Sequence, residues 1–125
     1  MNLEEHSDIK AKANSLEELV IDQKNLEYLQ VAHELKPGTL PAQIKYFSNL
    51  KSLECRGNRL TSLPVEIWEL SKLEILDCNH NHLRSLPPEI GLLTRLKTLL
   101  CMYNQLRSLP KEIGKLSQLE NIEVQ

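Results

Sequence analysis

Apolar side chains recur along this chain with a period of 23 residues. Leu50, Leu73, Leu96 and Leu119 hold one place in successive periods; Leu53, Leu76, Leu99 and Ile122 hold another, and Cys55, Cys78, Cys101 and Val124 a third. The second half repeats as strictly, in Leu60, Leu83 and Leu106, in the pairs Leu63-Pro64, Leu86-Pro87 and Leu109-Pro110, and in Ile67, Ile90 and Ile113. Two rhythms alternate within each period. Around Leu53 and Cys55 the pattern has period two, with Ser52, Glu54 and Arg56 on the other face, which predicts a half-buried strand. The proline that follows cannot donate to a ladder and directs the chain into a return leg. That leg carries apolar residues three apart and is short, which predicts one turn of 3-10 or α-helix. A strand and a short return leg per period predict an α/β solenoid, with a parallel sheet on one side and short helical segments on the other.

Asn58, Asn81 and Asn104 recur at the end of each strand and face inward. A buried amide left unpaired costs about 1–3 kcal/mol. The expectation is therefore that these side chains stack and bond to the loop backbone of adjacent turns, in a structural role.

The ends depart from the pattern. Ser15 and Glu18 read as a capping box before Leu16, Leu19 and Val20, which predicts a helical N-terminal cap over about 14–24. The alternative is a hairpin with strands at Leu19–Asp22 and Glu27–Val31. Residues 1–25 then form a lead-in and cap, and residues 26–125 a solenoid of about four turns. The first turn is irregular: Leu26, Leu29 and Val31 fit its strand, Glu34 stands where later turns have Asn, and Lys36-Pro37-Gly38 adds a residue. At the other end, Ile122-Glu123-Val124 is expected to form an unpaired edge strand. Either the native chain continues beyond Gln125 or a second copy pairs edge to edge through Ile122–Val124 as a homodimer.

Composition narrows the picture modestly. The formal net charge of −2 and the scattered Lys and Arg give no global pull towards nucleic acid, and no apolar run is long enough to span a bilayer. The N-terminus has acidic residues and no apolar core segment, so it is no secretory signal peptide. That favours a cytoplasmic location or export without such a signal, with a trimmed signal as the third case. The three cysteines share one repeat position and would stand side by side about 4.8 Å apart, pointing the same way. Sealed, reduced thiols are the reading for such a column, because a nucleophile would need an activating base or cationic neighbour.

The return sequences Leu63-Pro64-Val65-Glu66-Ile67, Leu86-Pro87-Pro88-Glu89-Ile90 and Leu109-Pro110-Lys111-Glu112-Ile113 resemble the LPxEI leucine-rich repeats of 23 residues. Such repeats occur in Ras-associated scaffold proteins of plants and animals and in bacterial repeat proteins, including a group from Leptospira. The resemblance spans about residues 29–124. It implies a curved solenoid that binds protein ligands on its concave strand face and, for bacterial relatives, attachment to or interference with host proteins.

Binding chemistry should then lie in the outward strand positions. Reading across turns, these columns are Tyr28, Ser52, Ile75, Thr98 and Asn121; Gln30, Glu54, Asp77, Leu100 and Glu123; Ala32, Arg56, Asn79, Met102 and Gln125; and His33, Gly57, His80 and Tyr103. Ile75, Leu100, Met102 and Tyr103 make an apolar group rimmed by Glu54, Asp77 and Glu123. With Arg56, Asn79 and His80 it forms the candidate partner surface. His80 and His82 flank Asn81 and invite a metal reading, but zinc needs three or four ligands and only two are secure. Incidental surface histidines are the preferred reading. Trp68, on the return leg, reads as packing or partial exposure. No phosphate-binding loop, metalloprotease helix or nucleophile elbow occurs. The chain is expected to be non-catalytic, without a cofactor, and to bind an as yet unidentified protein. The alternative is a self-associating structural protein, or a fragment of a larger scaffold that assembles through its terminal strand.

Overall fold

The computed structural model describes residues 17–20, 38–40 and 42–124. Five parallel strands form one sheet in chain order: β1 (Glu18–Val20), β2 (Ser52–Glu54), β3 (Ile75–Asp77), β4 (Thr98–Cys101) and β5 (Asn121–Val124). From β2 onward the register follows the repeat, with Leu53 beside Leu76, Leu76 beside Leu99 and Leu99 beside Ile122. Return legs of 3-10 helix span Ala42–Tyr46, Val65–Glu69, Pro88–Leu92 and Lys111–Lys115. The 3-10 form suits the sequence because three residues per turn bring Ile67 and Leu70 into line, and their equivalents in the next turns likewise. Each of the last three legs starts from a proline in extended conformation, Pro64, Pro87 or Pro110.

The interior is built from columns of like residues. Leu53, Leu76 and Leu99, Leu60 and Leu83, Ile67 and Ile90, and Leu73 and Leu96 are all fully buried. Trp68 is buried as well, which decides for packing. Gly91 is there for closeness, because a Cβ on it would meet the Cβ and carbonyl oxygen of Glu112, both at 3.2 Å. Burial declines at the last turn, where Leu106, Ile113 and Leu119 are half-buried and every residue of β5 is exposed.

Backbone bonds tie each turn to the next beyond the strands themselves. The residue before each strand accepts two N–H groups from the following turn. Lys51 oxygen takes those of Glu74 and Ile75 at 2.7 and 2.9 Å, and Glu74 oxygen those of Lys97 and Thr98 at 2.8 and 3.0 Å. Their side chains alternate in sign, with Lys51 3.5 Å from Glu17 and Lys97 3.1 Å from Glu74. These pairs are solvent-exposed and contribute at most about 1 kcal/mol each.

The N-terminal expectation needs correcting. Glu18–Val20 lies inside the helical cap expected over 14–24, yet it is a strand paired in parallel with β2. The physical reason is the open side of β2. Lys51 and Ser52 both donate to the Glu17 oxygen, at 2.6 and 3.0 Å, which repeats the linkage made between later turns. A helix there would leave those donors without backbone partners. The first strand expected on Leu26, Leu29 and Val31 lies outside the described residues, while the end of that irregular turn is described, with Leu40, Ile44 and Phe47 buried as the repeat requires.

The asparagine column does what the pattern predicts. Asn81 Oδ1 accepts the N–H groups of Asn58 and Leu60, both at 3.0 Å. Its Nδ2 donates to the carbonyls of Cys55 at 3.1 Å and Cys78 at 3.0 Å. Asn104 repeats this, accepting from Leu83 at 3.0 Å and donating to Cys78 and Cys101. Replacing Asn81 by Leu strands two donors and weakens two acceptors, so about 3 kcal/mol or more of stability should be lost. Urea unfolding measures this, and a loss under about 1 kcal/mol would mean that the column is dispensable.

Cys55, Cys78 and Cys101 are buried free thiols, aligned as the register requires. The Cys55 Sγ–H donates to the Asp77 carbonyl oxygen at 3.4 Å. Burial, helped by the charges of Asp77 and Glu54, pushes the Cys55 pKa up to about 12 from an ordinary 9.0. Hydrogen bonding to the Cys101 thiol and burial push Cys78 in the same direction. The folded state therefore keeps these protons after the unfolded chain has released them. For Cys55, stability should be intact below pH 9 and fall progressively as pH rises from 9 towards 12. Denaturation midpoints across that range, compared with those of a Cys55→Ala variant, test this; identical slopes for both proteins would refute it.

Candidate interaction surface

The outward columns of the strands come together much as the register demands. Glu54, Asp77, Leu100 and Glu123 stand side by side, and Ser52, Ile75, Thr98 and Asn121 form the neighbouring row. Ile75 is 40% exposed and Tyr103 57% exposed, while Leu100 and Met102 are half-buried between them. This is the expected apolar group. The expected first-turn members of these columns, Tyr28, Gln30, Ala32 and His33, lie outside the described residues, as does Gln125, and the residues beside Ser52 and Glu54 are Glu18 and Val20.

The acidic rim is not as expected. Asp77 is only 5% exposed. Its Oδ2 accepts the Arg56 Nε–H at 2.9 Å and a second guanidinium N–H of the same arginine, and its Oδ1 accepts the Asn79 N–H at 3.1 Å. Glu54 adds a carboxylate 3.3 Å from Arg56 Nε. The reason lies in the register: Arg56 sits at the strand end of one turn, within reach of the in-row acid of the next. Asp77 thus serves the fold, and the charged groups left at the surface of this face are those of Arg56, Glu54 and the exposed Glu123. Asn79 is also occupied, its Oδ1 accepting the Met102 N–H at 2.7 Å.

The strand-end column has a property that sequence reading missed. Gly57, His80 and Tyr103 all adopt left-handed backbone, with φ of 72°, 57° and 58°. Glycine does this freely, whereas a residue with a Cβ bears roughly 1–2 kcal/mol of strain. The turn is set by the backbone bonds on either side, such as His80 N–H to Met102 oxygen at 2.9 Å. In this conformation the exposed His80 and Tyr103 rings stack with centroids 4.4 Å apart and planes 11° from parallel. The glycine at position 57 was the available signal, since a glycine in a repeat column often marks a left-handed turn.

His80 and His82 are both exposed, and only His80 joins the apolar group. Among the described residues, no group of three or more His, Cys, Asp or Glu is placed to hold a metal ion. No helix among them is long and apolar enough to cross a membrane.

A family model described as a leucine-rich repeat region matches residues 30–125. The chain belongs to the leucine-rich-repeat family. Members of this family are in general protein-interaction modules and typically non-catalytic. Among solved structures, a leucine-rich-repeat protein of Leptospira interrogans is similar at a TM-score of 0.61 and 25% identity, over 94% of this chain and 34% of that one. A plant ice-binding protein is similar at a TM-score of 0.59 and 28% identity, over 70% of this chain and 29% of that one. An internalin of Listeria monocytogenes, at 21% identity and a TM-score of 0.58, covers 94% of this chain and 46% of its own, and shares the fold. The matches thus span from 29% to 46% of the length of these structures. No match to a curated protein was found.

Proposed function

We propose that this chain is a protein-binding module that uses the open face of its sheet, with Tyr103, Leu100, Met102 and Ile75 as the anchor. The observation that carries this reading is the Tyr103–His80 pair. Two large rings stand exposed on backbone that favours glycine, and nothing in the core requires either ring. Strain retained at exposed positions points to function. Tyr and Met beside half-buried Leu, with Glu54, Arg56 and Glu123 around them, also match the anatomy of a small protein interface. The likeness to a Leptospira protein supports a bacterial setting, and within it a host protein is the partner class to try first.

The test is a pair of substitutions chosen to leave the fold alone. Leu100→Ala with Tyr103→Gly should abolish affinity capture of the partner from host or self lysates. The thermal midpoint should change little, because glycine relieves the left-handed strain while about 0.5–1.5 kcal/mol of ring stacking is lost. Unchanged capture by the double variant would refute the anchor.

A second reading is favoured by β5, all four residues of which are exposed at the edge of the sheet. There Val124 and Leu109, with Leu106, line a shallow apolar recess. In this reading a second copy pairs along Ile122–Val124. Light scattering over a concentration series should then give a dimer mass that Ile122→Lys with Val124→Lys returns to monomer. A monomer at every concentration refutes it.

A further inference from the structure

The flank of the solenoid between strand ends and return legs has a charge of its own. Residues 55–65, 78–88 and 101–111 occupy equivalent stretches of three turns, and they contain five of the fifteen Lys and Arg and none of the seventeen Asp and Glu. Along the chain these cations look scattered. The 23-residue period gathers them, since Arg84 and Arg107 hold one position in consecutive turns and Arg59 lies two residues before the corresponding Thr61, in the column of His82 and Gln105. All three arginines are exposed, and among the described residues none of them makes an ion pair.

Their spacing is fixed by the backbone. His82 N–H donates to Leu60 oxygen and Gln105 N–H to Leu83 oxygen, both at 2.8 Å, so the flanks of adjacent turns are locked together. The backbones carrying Arg84 and Arg107 thus lie about one strand spacing, 4.8 Å, apart. Like charges rooted that close repel by up to about 1 kcal/mol in water, less as the side chains splay apart. Arg56 is compensated by Glu54 and Asp77 and Lys97 by Glu74, whereas Lys72 and Arg95, one turn apart on the opposite flank, are likewise exposed with no carboxylate paired to them among the described residues. On the flank of Arg84 and Arg107 no carboxylate is supplied either.

We infer that the Arg59–Arg84–Arg107 flank binds an acidic peptide segment of the partner, with two or three carboxylates in an extended run. This deepens the protein-binding reading and rests on it. Guanidinium forks match carboxylates in bidentate geometry, and the Ser85 and Ser108 hydroxyls beside them add donors. The size of the strip selects a short segment. It spans two turn intervals, roughly 10 Å. Glu54 and Asp77 lie on its sheet side, and Glu66, Glu89 and Glu112 on its return-leg side. A long polyanion would run on into these carboxylates. A short acidic run, spaced by about 6.6 Å between alternate residues of an extended chain, would not. The flank also follows directly on the His80–Tyr103 column, so one partner chain can reach both.

The probe is a fluorescently labelled octa-glutamate peptide, followed by anisotropy with the intact protein. Binding is expected at 50 mM salt and should weaken at least ten-fold at 500 mM, as screening requires. R84E/R107E and the charge-neutral R84Q/R107Q should each weaken it at least ten-fold, with unchanged circular dichroism and urea midpoint. K72E, on the opposite flank, and the Leu100 and Tyr103 variants should leave it unchanged. That last result separates this inference from the sheet-face anchor, since either can fail alone. No octa-glutamate binding at 50 mM salt, or equal binding by R84Q/R107Q, overturns the proposal. So does tighter binding, by ten-fold or more, of a heparin octasaccharide or an eight-residue oligothymidylate, which would assign the flank to a different polyanion.

Discussion

A column of buried side-chain amides sets the geometry on which everything else depends. Asn81 and Asn104 replace backbone partners that a strand loses when it turns, and each does so across two turns at once. Asn81 takes N–H groups from the turn before and gives its own to carbonyls of both turns. Leucine packing alone is tolerant of sliding, because one apolar contact is much like another. Hydrogen bonds to a buried amide are not, since a displaced partner leaves a desolvated group. The amide column therefore fixes the rise and register of the coils, while the leucines supply the driving force.

Once the rise is fixed, sequence distance and spatial distance exchange meanings. Residues 23 apart become near neighbours, and residues two apart on a strand face opposite ways. Inward positions then carry most of the stability, while outward positions are exposed except where, as at Asp77 and Asn79, they bond a neighbouring turn. Cys55 and Arg56 show the division. They are consecutive, yet one thiol is sealed against the Asp77 backbone while the neighbouring guanidinium bonds the Asp77 carboxylate. The exposed columns are free to vary in chemistry at small cost to the fold.

Much of this was legible in the sequence because the repeat is a direct image of the packing. The inward Leu, Cys and Asn columns, the parallel register and the short return legs all follow from period two, spacing three and one proline. What escaped had no periodic signature. Glu18–Val20 resembled a helix start from Ser15 and Glu18, but the unpaired donors of β2 outweigh a local capping preference, and no sequence window around Ser15 contains β2. Asp77 resembled a solvated rim residue because its charged partner, Arg56, lies 21 residues away. The left-handed turn at His80 and Tyr103 was hinted at by Gly57 alone. The arginines were invisible as a group until the coil brought them side by side.

Two features of the surface bear a cost in the free molecule. The left-handed backbone at Tyr103 is strained, with stacking on His80 as its local offset, and Arg84 and Arg107 are like charges with no carboxylate paired to them among the described residues. Glycine at 103, as at 57, would remove the first, and glutamate at 84 or 107 would remove the second. A scaffold whose exposed positions vary freely has no structural reason to keep such costs. Chance could leave one of them. Here there are two, one aromatic and one cationic, four residues apart in the repeat. Under the proposed binding role, stacking and charge pairing would act on groups already held in place by the coil beneath them, which lowers the ordering cost of association.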